Sequence, residues 1–174
     1  MAAARSTCPG CGLELPAAGL PRDPRRNASP ECWRLYGEVQ GFALDHPELV
    51  RDGHQLAVDA YAAQHAPRDA AAEAPPISVA YALVGLHLAL DRGVPGVQVR
   101  AAHQRLGRPD ASWPPLPAPA RTGTVTVFDV AAAGAMVGSP AGHARALRAW
   151  AADVWRAWAG QHAAVAALAD RLLG

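Results

Sequence analysis

Apolar side chains recur every three or four residues along much of the chain, which is the spacing of amphipathic helices. Ser29 and Thr126 stand at N-cap positions, and Gly93 at a C-cap position. The β-branched run at 122–127 is too short for us to assign it a role. We therefore predict an all-α fold, a helical bundle with almost no sheet. Its helices are expected over about residues 30–45, 47–65 or 53–65, 78–92, 97–106, 129–137 and 141–172.

Proline, glycine and cysteine divide the 174 residues into segments of one expected domain. Residues 1–28, rich in proline, are predicted to form an irregular N-terminal arm that binds zinc. Helical hairpins are expected over 29–106, a proline-rich loop over 107–123, and C-terminal helices over 124–174.

The composition excludes several classes of function. Hydrophobic residues make up 51% of the chain and the net charge is +1, which is typical of a globular protein. All 16 basic residues are arginine, so no lysine is present for Schiff-base chemistry. Only Arg22, Arg25 and Arg26 cluster, which argues against a nucleic-acid partner. Without an apolar run of membrane-spanning length or a signal peptide, we expect a cytoplasmic protein with no membrane contact.

The three cysteines are spaced as metal ligands. Cys8 and Cys11 flank a Pro-Gly turn, which is the spacing of a zinc knuckle, and Cys32 falls in the first turn of the first helix. The fourth ligand must then be a histidine. If the first two helices pair as a hairpin, the residue opposite Cys32 lies between about 60 and 68, where His65 is the one histidine. We predict a Zn²⁺ site of Cys8, Cys11, Cys32 and His65, although a thiol-rich set also accepts other thiophilic ions.

A second set of polar residues lies on the second helix. In HQLAVDAYAAQH, His54 and Tyr61 share a face, and Asp59 lies on a neighbouring one. With His162 of the last helix, and with His87 as a further candidate, these residues could perform acid–base catalysis. The alternative is a satisfied polar network that holds the helices in register.

The motifs CPGCG, SPECW, HQLAVDAYAAQH, LDRG and WAADVWRAWAGQH together resemble a bacterial family catalogued as domain of unknown function 5946, over nearly the full length. The resemblance implies a compact bacterial protein with a zinc-binding N-terminus, and it brings no established activity. Ala82 and Gln161 stand where the family pattern often has histidine, so this chain either lacks a second metal site there or builds it differently, with His87 as a candidate ligand. The positions that match the pattern are Cys8, Cys11, Cys32, His54, Asp59, Tyr61, Gln64, His65, Trp155, Trp158 and His162.

Two hypotheses of function follow from the sequence. The first is a metal-dependent enzyme acting on a small molecule in specialised metabolism, with His54, Asp59 and His162 lining a cavity between the second and last helices. The second is a non-catalytic, zinc-stabilised module that binds a partner protein through its arm and proline-rich loop. They differ in the role of the inner polar residues: for the enzyme, His54→Ala or Asp59→Asn abolishes turnover and leaves folding nearly intact, whereas for the module the same changes mainly lower stability.

Overall fold

The computed structural model describes residues 4–67, 76–107, 113–114 and 116–174. These residues form one mostly helical domain with a cysteine-bearing N-terminal arm, so the predicted fold class is confirmed. The proposed division into four segments stays a prediction. The elements are β1 (Arg5–Thr7), β2 (Glu14–Pro16), α1 (Pro30–Leu44), α2 (Pro47–Gln64), α3 (Pro76–Leu90), α4 (Gly96–Leu106), α5 (Val127–Ala133), α6 (Pro140–Ala157) and α7 (His162–Leu173).

The N-terminal arm is more regular than we predicted. β1 and β2 pair as an antiparallel hairpin, with Arg5 opposite Pro16 and Thr7 opposite Glu14. In the turn between them, the Cys8 N–H donates to the Leu13 carbonyl at 2.8 Å. Gly12 has a φ of 77°, a left-handed conformation that favours glycine. The turn thus orders itself through local hydrogen bonds and holds the two cysteines on a short, fixed loop.

The helix starts follow their capping residues. Ser29 accepts a hydrogen bond from the Cys32 N–H at 3.2 Å, with Pro30 in the first helical position. Thr126 and Asp129 form a capping box at the start of α5. α2 is the central helix and packs against α1, α3, α4 and α6. Because only two residues separate α1 from α2, the start of α1 lies beside the end of α2.

The predicted C-terminal helix is in fact two helices. α6 ends at Ala157, a short 3-10 turn follows, and α7 begins at His162. The Trp155 carbonyl accepts bonds from the Trp158 N–H at 3.0 Å and from the His162 ring at 2.9 Å. These donors lie three and seven residues after Trp155, whereas an α-helix continues only through a bond from the residue four positions later, so α6 ends here. No helix in the described part of the chain is both long and apolar enough to cross a membrane.

Gln64 joins the end of α2 to the rest of the core. Its side chain is fully buried, accepts from the Trp150 indole N–H at 2.9 Å and donates to the Val125 carbonyl at 2.8 Å. Its backbone carbonyl accepts from the Thr122 hydroxyl at 2.7 Å. One residue thus ties α2 to α6 and to the segment before α5.

We expect Gln64→Leu to lower the free energy of unfolding by roughly 2–4 kcal/mol, because two buried polar groups lose their partner at about 1–3 kcal/mol each. Urea unfolding followed by tryptophan fluorescence measures the change. Gln104→Leu, on the exposed side of α4, is the matched control and should change stability by less than about 0.5 kcal/mol. Equal effects of the two variants would contradict the role of Gln64.

Candidate metal centre

Three separate segments bring sulfur and nitrogen atoms to one buried point. Cys8 and Cys11 come from the hairpin turn, Cys32 from the first turn of α1, and His65 from the residue after α2. Their four ligand atoms all lie within 4.8 Å of one another. Cys8 is 1% exposed, Cys32 0% and His65 7%, whereas Cys11 is half-buried, so three of the four ligand residues are shielded from solvent.

The distances between these ligand atoms match those around a tetrahedrally coordinated zinc ion. Zinc lies about 2.3 Å from thiolate sulfur and about 2.0–2.1 Å from imidazole nitrogen. A tetrahedron with those bonds has sulfur atoms about 3.8 Å apart and sulfur about 3.6 Å from nitrogen. In the structure, the sulfur atoms of Cys11 and Cys32 are 3.8 Å apart, and the Cys32 sulfur is 3.4 Å from Nε2 of His65. The cluster could therefore hold a metal ion.

The imidazole of His65 is oriented as a ligand. Its Nδ1 lies 2.8 Å from the Tyr61 carbonyl oxygen, which can only accept, so Nδ1 carries the proton. The lone pair of Nε2 then faces the Cys32 sulfur. A backbone acceptor behind a histidine is the usual device for fixing a metal-binding tautomer.

The pKa values of the cluster show that it shares negative charge unevenly. Hydrogen bonds from the Cys11 and Cys32 thiols lower the pKa of Cys8, while the thiols of Cys11 and Cys8 raise the pKa of Cys32. Burial opposes a charged imidazole, but the same two neighbours outweigh it and raise the pKa of His65 to about 9. The lowered pKa of Cys8 places negative charge in the cluster, and a divalent metal would supply a compensating cation there.

Tyr61, which we predicted for catalysis, lies against this cluster. Its hydroxyl donates to the Cys32 sulfur at 3.7 Å, and its ring stacks on His65 at 3.9 Å and on Tyr36 at 4.1 Å between centroids. Burial, with the nearby Cys32 sulfur, raises the pKa of Tyr61 well above its ordinary value. Tyr61 thus remains a neutral phenol that donates a hydrogen bond to sulfur.

The structure does not bring the other candidate catalytic residues together. His54 is half-buried, and burial followed by the charge of Arg100 lowers its pKa. His162 stacks on Trp155, with centroids 3.8 Å apart. Asp59 borders a cavity whose described lining includes neither histidine. The catalytic role of His54, Asp59, Tyr61 and His162 therefore stays a prediction.

The sequence reasoning missed His103, which is the histidine that faces Asp59. Its Nε2 lies 3.9 Å from Oδ2 of Asp59. The sequence could have indicated that His103 faces the core. It follows Val99 by four residues and precedes Leu106 by three, which places it beside the apolar face of α4. His87, the other candidate, instead pairs with Asp91 at 2.9 Å and accepts from Arg92 at 3.0 Å.

A cleft of about 260 Å³ opens beside the cluster. The guanidinium of Arg26 lies 3.6 Å from the ring centroid of Trp33, which is 39% exposed. Arg25 and Arg26 each pair with Asp23 at 3.1 Å. The walls come from the arm, α1, α2 and α3, and include Arg25, Arg26, Trp33, Tyr36, Tyr61 and His65.

The backbone of Gly10 packs tightly against Asn27 and His65, so a substitution at Gly10 tests the packing of the cluster. A Cβ added there would overlap the Asn27 carbonyl oxygen and lie 2.5 Å from Cδ2 of His65. We expect Gly10→Ala to weaken Zn²⁺ binding roughly tenfold or more, because overpacking costs about 1–3 kcal/mol. Competition against a chromophoric chelator measures the affinity. Gly41→Ala, where a Cβ meets nothing within 4 Å, is the control and should leave Zn²⁺ affinity unchanged; equal affinities would contradict this packing.

Comparison with known proteins gives one match. No curated protein and no solved structure matches the chain. The family described as "Family of unknown function (DUF5946)" matches residues 6–159. This range includes the hairpin except for its first residue, the four clustered residues and helices α1 to α6. Since the match covers most of the 174 residues, the chain belongs to this family of unknown function.

Proposed function

We propose that the protein is a non-catalytic, zinc-stabilised binding module. The observation that carries the proposal is a set of three thiols and one imidazole, buried except for the half-buried Cys11 and contributed by three separate segments. A set of four protein ligands fills the tetrahedral shell of zinc and leaves no position for a substrate. Thiolate and imidazole ligands at this spacing favour zinc over the hard cations magnesium and calcium.

The ion would fix the arm to the helices. Cys8 and Cys11 belong to the arm, whereas Cys32 and His65 belong to the helical domain. Outside the cluster, the arm bonds to the helical domain through the Ala18 N–H to Glu31 at 3.0 Å and the Asn27 amide to the Ala66 carbonyl at 3.0 Å. Zinc binding would therefore contribute directly to the folding free energy of this part of the chain.

The arm in turn forms one wall of the cleft. Arg25 and Arg26 come from the arm, and Trp33, Tyr36 and Tyr61 come from the helices. Two guanidinium charges set against the one carboxylate of Asp23 leave a positive rim. An exposed tryptophan beside arginine is typical of the residues that dominate protein interfaces. We infer that the partner is a protein segment carrying an aromatic or apolar side chain next to an acidic one.

A metal-dependent enzyme is the second candidate. One observation favours it: the buried carboxylate of Asp59 borders a cavity. Such an enzyme would need one of the four ligands to exchange for substrate or water, or a second ion bound elsewhere.

Metal analysis of the purified protein tests the site. We expect one zinc per chain in the wild type, and loss of both zinc and thermal stability in Cys11→Ser and His65→Ala, because a three-ligand site binds the ion weakly. His46→Ala is the control, since His46 lies half-buried at the start of α2, away from the cluster. Two metals per chain, or zinc retained in both ligand variants, would contradict the proposal and favour the enzyme.

A phage-displayed random peptide library, selected on the zinc-loaded protein, tests the cleft. We expect enriched peptides to combine an aromatic with an acidic residue and to bind at least tenfold more weakly to Trp33→Ala, because the exposed ring contributes the main apolar contact. Trp113→Ala is the matched control, since Trp113 stacks on Tyr81 outside the cleft. Selected peptides that bind wild type and Trp33→Ala equally would overturn the assignment.

A further inference from the structure

Solvent reaches the metal cluster through one of its three thiols. Cys11 is half-buried, whereas Cys8 is 1% exposed and Cys32 is 0% exposed. Cys11 lies in the turn between β1 and β2, and the next residue, Gly12, is exposed. A Cβ added at Gly12 would meet nothing within 4 Å, so the space beside Cys11 is open. A small reagent in solution therefore meets the sulfur of Cys11 before it meets the other two.

The sulfur of Cys32 lies where it can react with an oxidised Cys11. The two sulfur atoms are 3.8 Å apart. A disulfide bond is about 2.05 Å long, so its formation requires these atoms to approach by roughly 1.8 Å. Cys32 is held in the first turn of α1, where its N–H donates to the Ser29 hydroxyl at 3.2 Å. Because Cys11 belongs to the hairpin turn, the approach can be made by the turn while α1 stays in place.

Cys8, the remaining thiol, is held by more bonds. Its sulfur accepts from the Ser29 N–H at 3.4 Å. Its own N–H donates to the Leu13 carbonyl at 2.8 Å, and its carbonyl accepts from the Gly12 N–H at 2.9 Å. These bonds fix Cys8 between the start of α1 and the hairpin turn. Cys32 is therefore the thiol that we assign as the reaction partner of Cys11.

The chemistry requires a peroxide as co-reactant and two thiolates. Metal ligation requires deprotonated cysteines, so both sulfur atoms are thiolates in the zinc-loaded protein. The Cys11 thiolate attacks one oxygen of hydrogen peroxide, so that an S–O bond forms, the O–O bond breaks and hydroxide leaves. The Cys32 thiolate then attacks the sulfur of this sulfenic acid, so that the S–S bond forms, the S–O bond breaks and a second hydroxide leaves. The peroxide gains the two electrons that the two sulfur atoms lose.

We propose that Cys11 is a site of oxidative modification, at which a peroxide oxidises the thiolate and Cys32 then closes a disulfide that expels the metal ion. The inference rests on the zinc site proposed above. Redox-sensing cysteines are accessible to solvent and lie next to a resolving thiol, as Cys11 does. After oxidation only Cys8 and His65 remain as ligands, which are too few to retain the ion. The disulfide keeps the arm attached to α1, while the metal-mediated link to the end of α2 is lost.

Titration of the full-length, zinc-loaded protein with hydrogen peroxide tests this assignment. A chromophoric chelator measures the released zinc, and mass spectrometry of unreduced peptides locates the disulfide. We expect zinc release to accompany a Cys11–Cys32 disulfide, and dithiothreitol with added zinc to restore the metal-bound protein, because a disulfide is reducible. Retained zinc, a disulfide through Cys8, or irreversible oxidation without a disulfide would overturn the proposal. A chain that binds no zinc before peroxide is added contradicts the zinc site as well, whereas a zinc-loaded chain that resists peroxide contradicts this inference alone.

Cys11→His removes the accessible sulfur and keeps a fourth ligand, because an imidazole can replace a thiolate on zinc. We expect this variant to release zinc in peroxide roughly tenfold more slowly than the wild type, and release at the wild-type rate would overturn the proposal. Ala17→His, which adds the same side chain at an exposed position of the arm, is the control and should release zinc at the wild-type rate. If Cys11→His fails to bind zinc, alkylation of the zinc-loaded wild type by iodoacetamide decides. Cys11 should then react roughly tenfold faster than Cys8 and Cys32, and equal rates would overturn the proposal.

Discussion

The contact between the His65 imidazole and the thiols of the arm is the constraint on which the N-terminal half depends. It joins the hairpin turn, the start of α1 and the end of α2 at one point, with the Cys32 sulfur 3.4 Å from Nε2. Binding of a metal ion would require these buried thiols to ionise, and the ion would supply the counter-charge that buried thiolates need. Ala28 of the arm is buried in the core, and Leu13 and Leu15 pack against it, so the cluster acts together with these apolar contacts.

Gln64, the residue before His65, links this cluster to the opposite side of the domain. Consecutive residues at a helix end point about 100° apart. His65 therefore faces the arm and α1, while Gln64 faces Trp150 on α6 and the carbonyl of Val125. Two adjacent side chains thus hold both halves of the protein against the end of α2. This explains why a short polar dipeptide is buried where a helix end would ordinarily meet solvent.

The two polar sites share α2 and still remain separate. Asp59 and His65 are six residues apart, which places them about 9 Å apart along the axis and on different faces. Asp59 faces α3 and α4 through Gly85 and His103, and His65 faces the sulfur atoms. Because each group has its own partners, α2 carries two separate buried polar clusters.

Local chemistry in the sequence determined the helix starts, the fold class and the grouping of the sulfur atoms with His65. Ser29, Pro30 and Thr126 act on backbone groups within a few residues, and the Cys-Pro-Gly-Cys turn closes on itself. The tertiary structure decided the rest. The break before α7 depends on a histidine that bonds a carbonyl seven residues earlier, and the histidine that faces Asp59 is His103, from a helix that begins more than thirty residues later. Such pairings depend on how each helix is rotated against its neighbours. That rotation is set by the packing of the whole core, and no spacing along the chain encodes it.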